Sequence, residues 1–229
     1  MAAIQVRIGV IGHGTVGAAF VQLVKQQASA IAARSGVQLV IARVAVRNID
    51  AHKNSLAADV LTTDAEFVVN DPTVDLVVEV MGGIDQARGL ILKALASGKP
   101  VVTANKALIA KYLPEIEEIL TTVNANRPEN PVEFRYEAAV CGGIPIIRSL
   151  QSDFVGDDIT MISGIINGCT NYMLTSMDRD GKTYDEALEK AAELGYAEED
   201  PTLDVGGFDA DLVRSIMVDI RYVLFIIDK

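Results

Sequence analysis

The stretch Arg7-Ile8-Gly9-Val10-Ile11-Gly12-His13-Gly14-Thr15-Val16-Gly17 constrains the fold more than any other part of the chain. A short apolar run that ends in glycine reads as a buried strand. The spacing G-x-G-x-x-G follows it directly and opens a helical pattern, the context in which that spacing carries meaning. Each glycine then has a task. Gly12 permits a tight turn, Gly14 lets a pyrophosphate approach the backbone, and Gly17 lets the helix pack closely on the strand. Thr15 and Val16 complete a first helical turn whose free N–H groups suit phosphate. The expected ligand is a dinucleotide.

The rest of the first half repeats the alternation. Val16, Phe20, Leu23, Val24 and Ile31 recur at helical spacing over residues 15–33, and Ser35-Gly36 closes that helix. Residues 37–46, 75–80 and 101–103 read as strands, and residues 86–96 as a helix. Strand–helix alternation with short turns predicts an α/β fold, a doubly wound parallel sheet of the Rossmann kind. Residues 124–134, with two prolines and three asparagines, are the best boundary in the sequence. The expected organisation is a dinucleotide-binding domain over 1–133 and a second domain over 134–229.

The end of the second strand selects between nicotinamide cofactors, because an acid there would hold the ribose 2′-hydroxyl. Arg47 stands in that place, with Lys53 nearby, and a guanidinium suits a 2′-phosphate. NADP is therefore favoured, with NAD possible. His13 and His52 read as a loop residue and a solvent residue, neither spaced for metal binding.

Composition removes other classes. With 20 Lys+Arg against 31 Asp+Glu, the formal net charge is −11, which excludes a nucleic-acid reader built on a basic face and disfavours an anionic membrane partner. From Asp178 onward there are 14 acidic and 6 basic residues, so much of the acidity sits late in the chain. No apolar run approaches the roughly 18 residues of a membrane span. The first residues lead into a strand without a signal-peptide pattern. Two cysteines, Cys141 and Cys169, fit a reducing, cytoplasmic setting.

Five further segments converge on one family. They are residues 77–84 (VVEVMGGI), 102–108 (VTANKAL), 136–148 (YEAAVCGGIPIIR), 164–172 (GIINGCTNY) and 193–205 (ELGYAEEDPTLDV). In this order and spacing the chain resembles homoserine dehydrogenase over roughly residues 5–210. The resemblance implies reduction of aspartate 4-semialdehyde to homoserine with NAD(P)H, on the route to threonine, methionine and isoleucine. It also implies a homodimer and an α+β substrate and dimerisation region, here incomplete. It places Thr103 and Lys106 at the nicotinamide, with Lys106 in proton transfer, and Gly195 against the cofactor. Glu198 and Asp209 are implied to hold the substrate, Asp209 within the catalytic group. A sodium ion is implied at Glu137, through its side chain, and at the carbonyls of Val140, Gly142 and Ile144.

The residues themselves agree where they can. Thr103 and Lys106 fall at the carboxyl end of a parallel strand, where open α/β sheets bind ligands. Paired carboxylates suit a substrate ammonium. Exposed carbonyls beside Glu137 suit a hard cation, although a capped turn accounts for the same residues. Cys169-Thr170-Asn171 invites a nucleophilic-cysteine reading, but that chemistry needs a base and both histidines lie in the first half. A structural small residue is the better reading.

One position breaks the pattern. The family carries its proton-donating lysine four residues after the aspartate, on the same helix face. Here Val213 stands four residues after Asp209, and Arg214 is one step further round. Arginine does not release a proton readily. From about Asp211 the sequence also leaves the family pattern, and its apolar, β-branched run reads as an exposed strand. The resemblance implies further substrate domain beyond residue 229. The alternative to an active dehydrogenase is a nucleotide-binding remnant or fragment of one.

Overall fold

The computed structural model describes residues 4–197 and 201–227, with side chains through residue 217. The chain forms two compact units, Met1–Ala139 and Val140–Lys229.

The first unit runs β1 (Ile4–Ile11), α1 (Thr15–Ser35), β2 (Val37–Ala45), β3 (Leu61–Thr62), α2 (Ala65–Asn70), β4 (Leu76–Glu79), α3 (Asp85–Ala96), β5 (Val101–Thr103), α4 (Lys106–Asn124) and β6 (Phe134–Arg135). Its sheet has the order β3-β2-β1-β4-β5-β6, with every pairing parallel. This is the doubly wound sheet expected. Strand order reverses between β1 and β4, and a crevice opens at the carboxyl ends there.

The strands are apolar because both faces are covered: Ile8, Val10, Ile11, Val44, Val77, Val78 and Val101 are all buried. Helix α3 buries Ala87, Leu90, Ile91, Ala94 and Leu95, a stripe at i, i+3, i+4, i+7, i+8. Helix α4 continues through Pro114. An interior proline costs a helix about 3 kcal/mol. Complete burial of Leu108, Ile109, Leu113 and Ile116, each contributing about 1.5–3 kcal/mol, outweighs it.

The division between units falls after Ala139 rather than at residue 133. The Pro- and Asn-rich segment is not a linker. The Asn124 side chain donates to the Val132 carbonyl at 3.0 Å and accepts from the Val132 N–H at 2.7 Å. That clasp folds the loop back so that β6 adds a sixth strand, Phe134 opposite Val101.

The second unit contains α5 (Ile146–Arg148), which widens into one further turn to Asp153, then α6 (Gly168–Asp180), α7 (Tyr184–Glu193), α8 (Thr202–Val205) and α9 (Phe208–Ile227). Thr183 and Glu186 form a reciprocal capping box that starts α7. A small core of Cys169, Met173, Ala187 and Ala191 joins α6 to α7. Among the described residues this unit has helices and no strand, so the mixed α+β character expected of it is not present there. The run after Asp211 is helical, not an exposed strand. Its spacing explains why: Val213 and Ile216 are buried and Met217 half-buried, while Asp211 and Arg214 face out.

Candidate functional site

A cleft of about 710 Å³ opens at the switch point of the first unit. Its floor is Ile11, Gly12, Val80 and Met81; one wall is Ala45, Val46, Arg47, Asn48 and His52, and the other is Gly82, Gly83, Ile84 and Gln86.

The glycine turn is shaped for a ligand. Gly12 has φ +100°, and a Cβ on it would lie 2.6 Å from the Val80 carbonyl oxygen. A Cβ on Gly17 would lie 2.2 Å from the Gly12 carbonyl oxygen, so α1 can approach β1 this closely only without a side chain. At Gly14 the same Cβ would meet nothing within 4 Å. Packing therefore explains the first and third glycines but not the second. Gly14 caps α1, and no side chain accepts from that helix end. Thr15 and Val16 stand exposed in its first turn. Open space over unpaired helix N–H groups is what a pyrophosphate requires, so these residues fit the dinucleotide implied by the sequence.

Arg47 is exposed on the cleft wall. Lys53 is engaged with Asp50. His13 and His52, read from sequence as separate loop and solvent residues, are in contact instead. His13 is buried, and its Nδ1 lies 3.3 Å from Nδ1 of His52. Burial, the charge of His52 and that of Lys25 all lower the pKa of His13.

A buried network holds the opposite side of the crevice. The Thr103 hydroxyl donates to Glu79 Oε2 at 2.6 Å, and Glu79 Oε1 accepts from the Met81 N–H at 2.9 Å. Thr103 Oγ1 also accepts from the Asn105 N–H at 3.0 Å. Asn105 donates to the Gly83 carbonyl at 2.7 Å and caps α4 through the Leu108 N–H. Glu79 and Thr103 are fully buried. Thr103 thus acts on the cleft by fixing the turns after β4 and β5, not by presenting its hydroxyl. Lys106 opens α4 just beyond this network and is half-buried. Glu79 was legible as the one acid ending an apolar strand; the bonds it makes were not.

The remaining expected residues lie in or beside the second unit. Gly195 ends α7 with φ +77°. Asp209 lies in the first turn of α9, half-buried. Glu198 lies outside the described residues. Val213 is 5% exposed and one helical turn from Asp209, so the family's lysine position holds a packed apolar side chain. Arg214 does not substitute: its guanidinium is bound to Asp211 at 2.9 Å and 3.1 Å. Cys169 is buried, and burial, with Asp204 adding to it, raises its thiol pKa, the reverse of what a nucleophile needs. Asp204 is buried and accepts from Asn167 Nδ2 at 2.7 Å, while Asn167 caps α6.

The expected sodium ligands fall in different units, Glu137 in the first and Val140, Gly142 and Ile144 in the second. The Ile144 carbonyl already accepts from the Ile146 N–H at 2.9 Å.

The sheet order, the glycine turn and the switch-point cleft define the class: a dinucleotide-binding Rossmann domain. Comparison with known proteins narrows it. Residues 12–127 match the homoserine dehydrogenase NAD-binding domain, and residues 145–224 match the homoserine dehydrogenase domain. The homoserine dehydrogenase of Synechocystis sp. is 45% identical over 206 residues, which cover 90% of this chain and 46% of that protein. The Bacillus subtilis enzyme is 38% identical, covering 95% and 49%. The crystal structure of a homoserine dehydrogenase from Thiobacillus denitrificans superposes with a TM-score of 0.82 at 41% identity, covering 91% of this chain and 47% of that one. A hyperthermophilic archaeal homoserine dehydrogenase in complex with NADPH gives 0.79 at 28% identity, covering 95% and 70%. The chain belongs to the homoserine dehydrogenase family. It spans about half the length of the curated relatives it matches.

Proposed function

We propose that this chain is an NADP-dependent oxidoreductase acting on aspartate 4-semialdehyde and homoserine, in the biosynthesis of threonine, methionine and isoleucine. The observation that carries the reading is the Gly14 position, where a Cβ would meet nothing within 4 Å, at a helix end without a side-chain cap, in a cleft walled by Arg47. Gly12, Gly14 and Gly17, with Thr15 and Val16, hold the pyrophosphate, and Arg47 takes the 2′-phosphate. When bound, the nicotinamide supplies a hydride to the aldehyde carbon. Lys106, at the carboxyl end of β5, orients the reacting oxygen and bears on its proton. Thr103 keeps that end of the strand in place. Asp209 and Glu198 receive the substrate ammonium, and Gly195 turns the chain at the cofactor. The working form is a cytoplasmic homodimer; no helix among the described residues is long and apolar enough to cross a membrane.

A second reading has a specific observation in its favour. With Val213 packed and Arg214 bound to Asp211, the proton donor that the family pattern places after the aspartate has no counterpart at either of these two positions. The chain then binds nucleotide without turning substrate over. Loss of a positioned acid typically costs about 10²–10⁴ in rate. Semialdehyde-dependent NADPH oxidation, measured for the chain and for Val213→Lys, separates the two. Turnover by the unaltered chain supports the dehydrogenase. NADPH binding with no turnover in either protein supports the nucleotide-binding remnant.

A further inference from the structure

His13 and His52 stand 39 residues apart in sequence and both line the switch-point cleft. Their rings meet edge to face, centroids 4.9 Å apart at 86°. A contact between two Nδ1 atoms at 3.3 Å needs one nitrogen that carries hydrogen and one that is bare. The pair therefore holds one added proton at most while it stays together.

Its surroundings say where that proton goes. His13 is buried in the glycine turn, and burial, His52 and Lys25 all act against charge on it. His52 is half-exposed, and its main chain is pinned by a turn. Its carbonyl accepts from the N–H groups of Ser55 and Leu56 at 3.0 and 3.1 Å. Lys25 of α1 donates to the Ser55 carbonyl at 3.3 Å. Arg47 precedes on the same wall, and Lys53 is paired with Asp50. On the neighbouring elements, Asp64 is used in capping α2, and Asp85 opens α3. The Arg47 guanidinium and the His52 imidazole thus line the same cleft.

We propose that the His13–His52 pair is a proton-coupled contact for the 2′-phosphate, so that the chain takes up a proton as it binds NADPH. The proposal rests on the nucleotide reading of the cleft. Its sign is distinctive. A phosphate monoester has a second pKa near about 6, so binding the dianion would release a proton, whereas charging His52 takes one up. Full coupling to one proton changes affinity up to about tenfold per pH unit.

Calorimetric titration of the whole chain with NADPH and with NADH tests this. It is run at pH 6, 7 and 8 in buffers of differing ionisation enthalpy. The expected result is proton uptake on binding NADPH near pH 7 and little with NADH. The NADPH preference should fall about tenfold from pH 6 to 8. His52→Gln should abolish the uptake and flatten the pH dependence of the NADPH preference. His13→Asn should do the same by removing the partner nitrogen. Uptake retained in His52→Gln, or a pH-independent preference in the unaltered chain, overturns the proposal alone. Equal uptake with NADH and NADPH also overturns it, because it moves the contact to the pyrophosphate. Failure of either nucleotide to bind overturns the cleft reading itself.

Discussion

The two units of this chain bury apolar surface to very different degrees. In the first, strands covered on both faces and helices with full apolar stripes leave few large apolar side chains in water; Ile4, Val16, Leu23 and Phe67 are the exposed ones among its described residues. In the second, the short core of α6 and α7 stands beside a long apolar surface that includes Met161 at 80%, Ile165 at 73% and Ile144 at 65% exposed. Residues 159–166 form no helix or strand, and they line an apolar cavity of about 390 Å³ with Cys141 and Val213. The first unit covers most of its own large apolar side chains. The second carries more apolar surface than its own elements cover, and contiguous patches of that kind mark places where further chain or a partner packs. The switch-point cleft is lined wholly by residues of the first unit.

The largest effects should come from deleting core side chains, one in each unit. Ile91 and Ile216 are both at or below 1% exposed. Ile91→Ala and Ile216→Ala should each cost about 2–5 kcal/mol. In calorimetric unfolding, two transitions should appear, each variant lowering only its own. One transition lowered by both variants would make the chain a single folding unit and dissolve the contrast.

A smaller effect, confined to the first unit, should follow Thr103→Val. It strips Glu79 of a buried hydrogen-bond donor and should cost about 1–3 kcal/mol, together with NADPH affinity, because the turns after β4 and β5 lose their tie. Unchanged stability would show that the network is not structural.

Acid should act on the same unit through Asp71. Burial pushes its carboxyl up, but hydrogen bonds from Thr73 and the charges of Arg43 and Lys99 outweigh it, leaving it below the ordinary carboxylate range. A carboxyl depressed in the folded state contributes stability above its unfolded pKa, about 3.9, and loses it as pH falls through the folded value. Asp71→Asn should therefore lower the first transition at pH 7 by about 1 kcal/mol, with the gap closing below about pH 4. A gap that widens as pH falls below about 4 would contradict this.

The smallest change in stability should come from Met161→Ser with Ile165→Ser. Exposed substitutions of this kind usually stay within about 0.5 kcal/mol, while binding of a hydrophobic dye and self-association should both fall. A large loss of stability would mean those side chains are covered in solution.

The first unit was largely legible in sequence, and the second was not. A period of two or of 3.6, glycines at fixed spacing and Arg47 after β2 are local signals, and each fell where it was expected. Helix α4 was hidden by Pro114, because local propensity cannot weigh a proline against four buried side chains. The clasp of Asn124 on Val132 turned an apparent linker into a sheet edge. The His13–His52 contact and the Glu79–Thr103 bond join residues 39 and 24 positions apart. Such pairs have no sequence signature, since only the parallel strand order brings them together. In the second unit, β-branched residues after Asp211 suggested a strand, yet the spacing of Val213, Ile216 and Met217 suits a helix that packs one face.

Calorimetric titration of Gly14→Val with NADPH tests the central claim most directly. A side chain there meets open space, and φ of −76° suits any residue. The variant should therefore fold with a first transition within about 1 kcal/mol of the unaltered chain. Its binding should be lost by more than about a hundredfold, because the added methyls occupy the ground of the pyrophosphate. Undiminished NADPH binding by a folded Gly14→Val would contradict the assignment of this cleft.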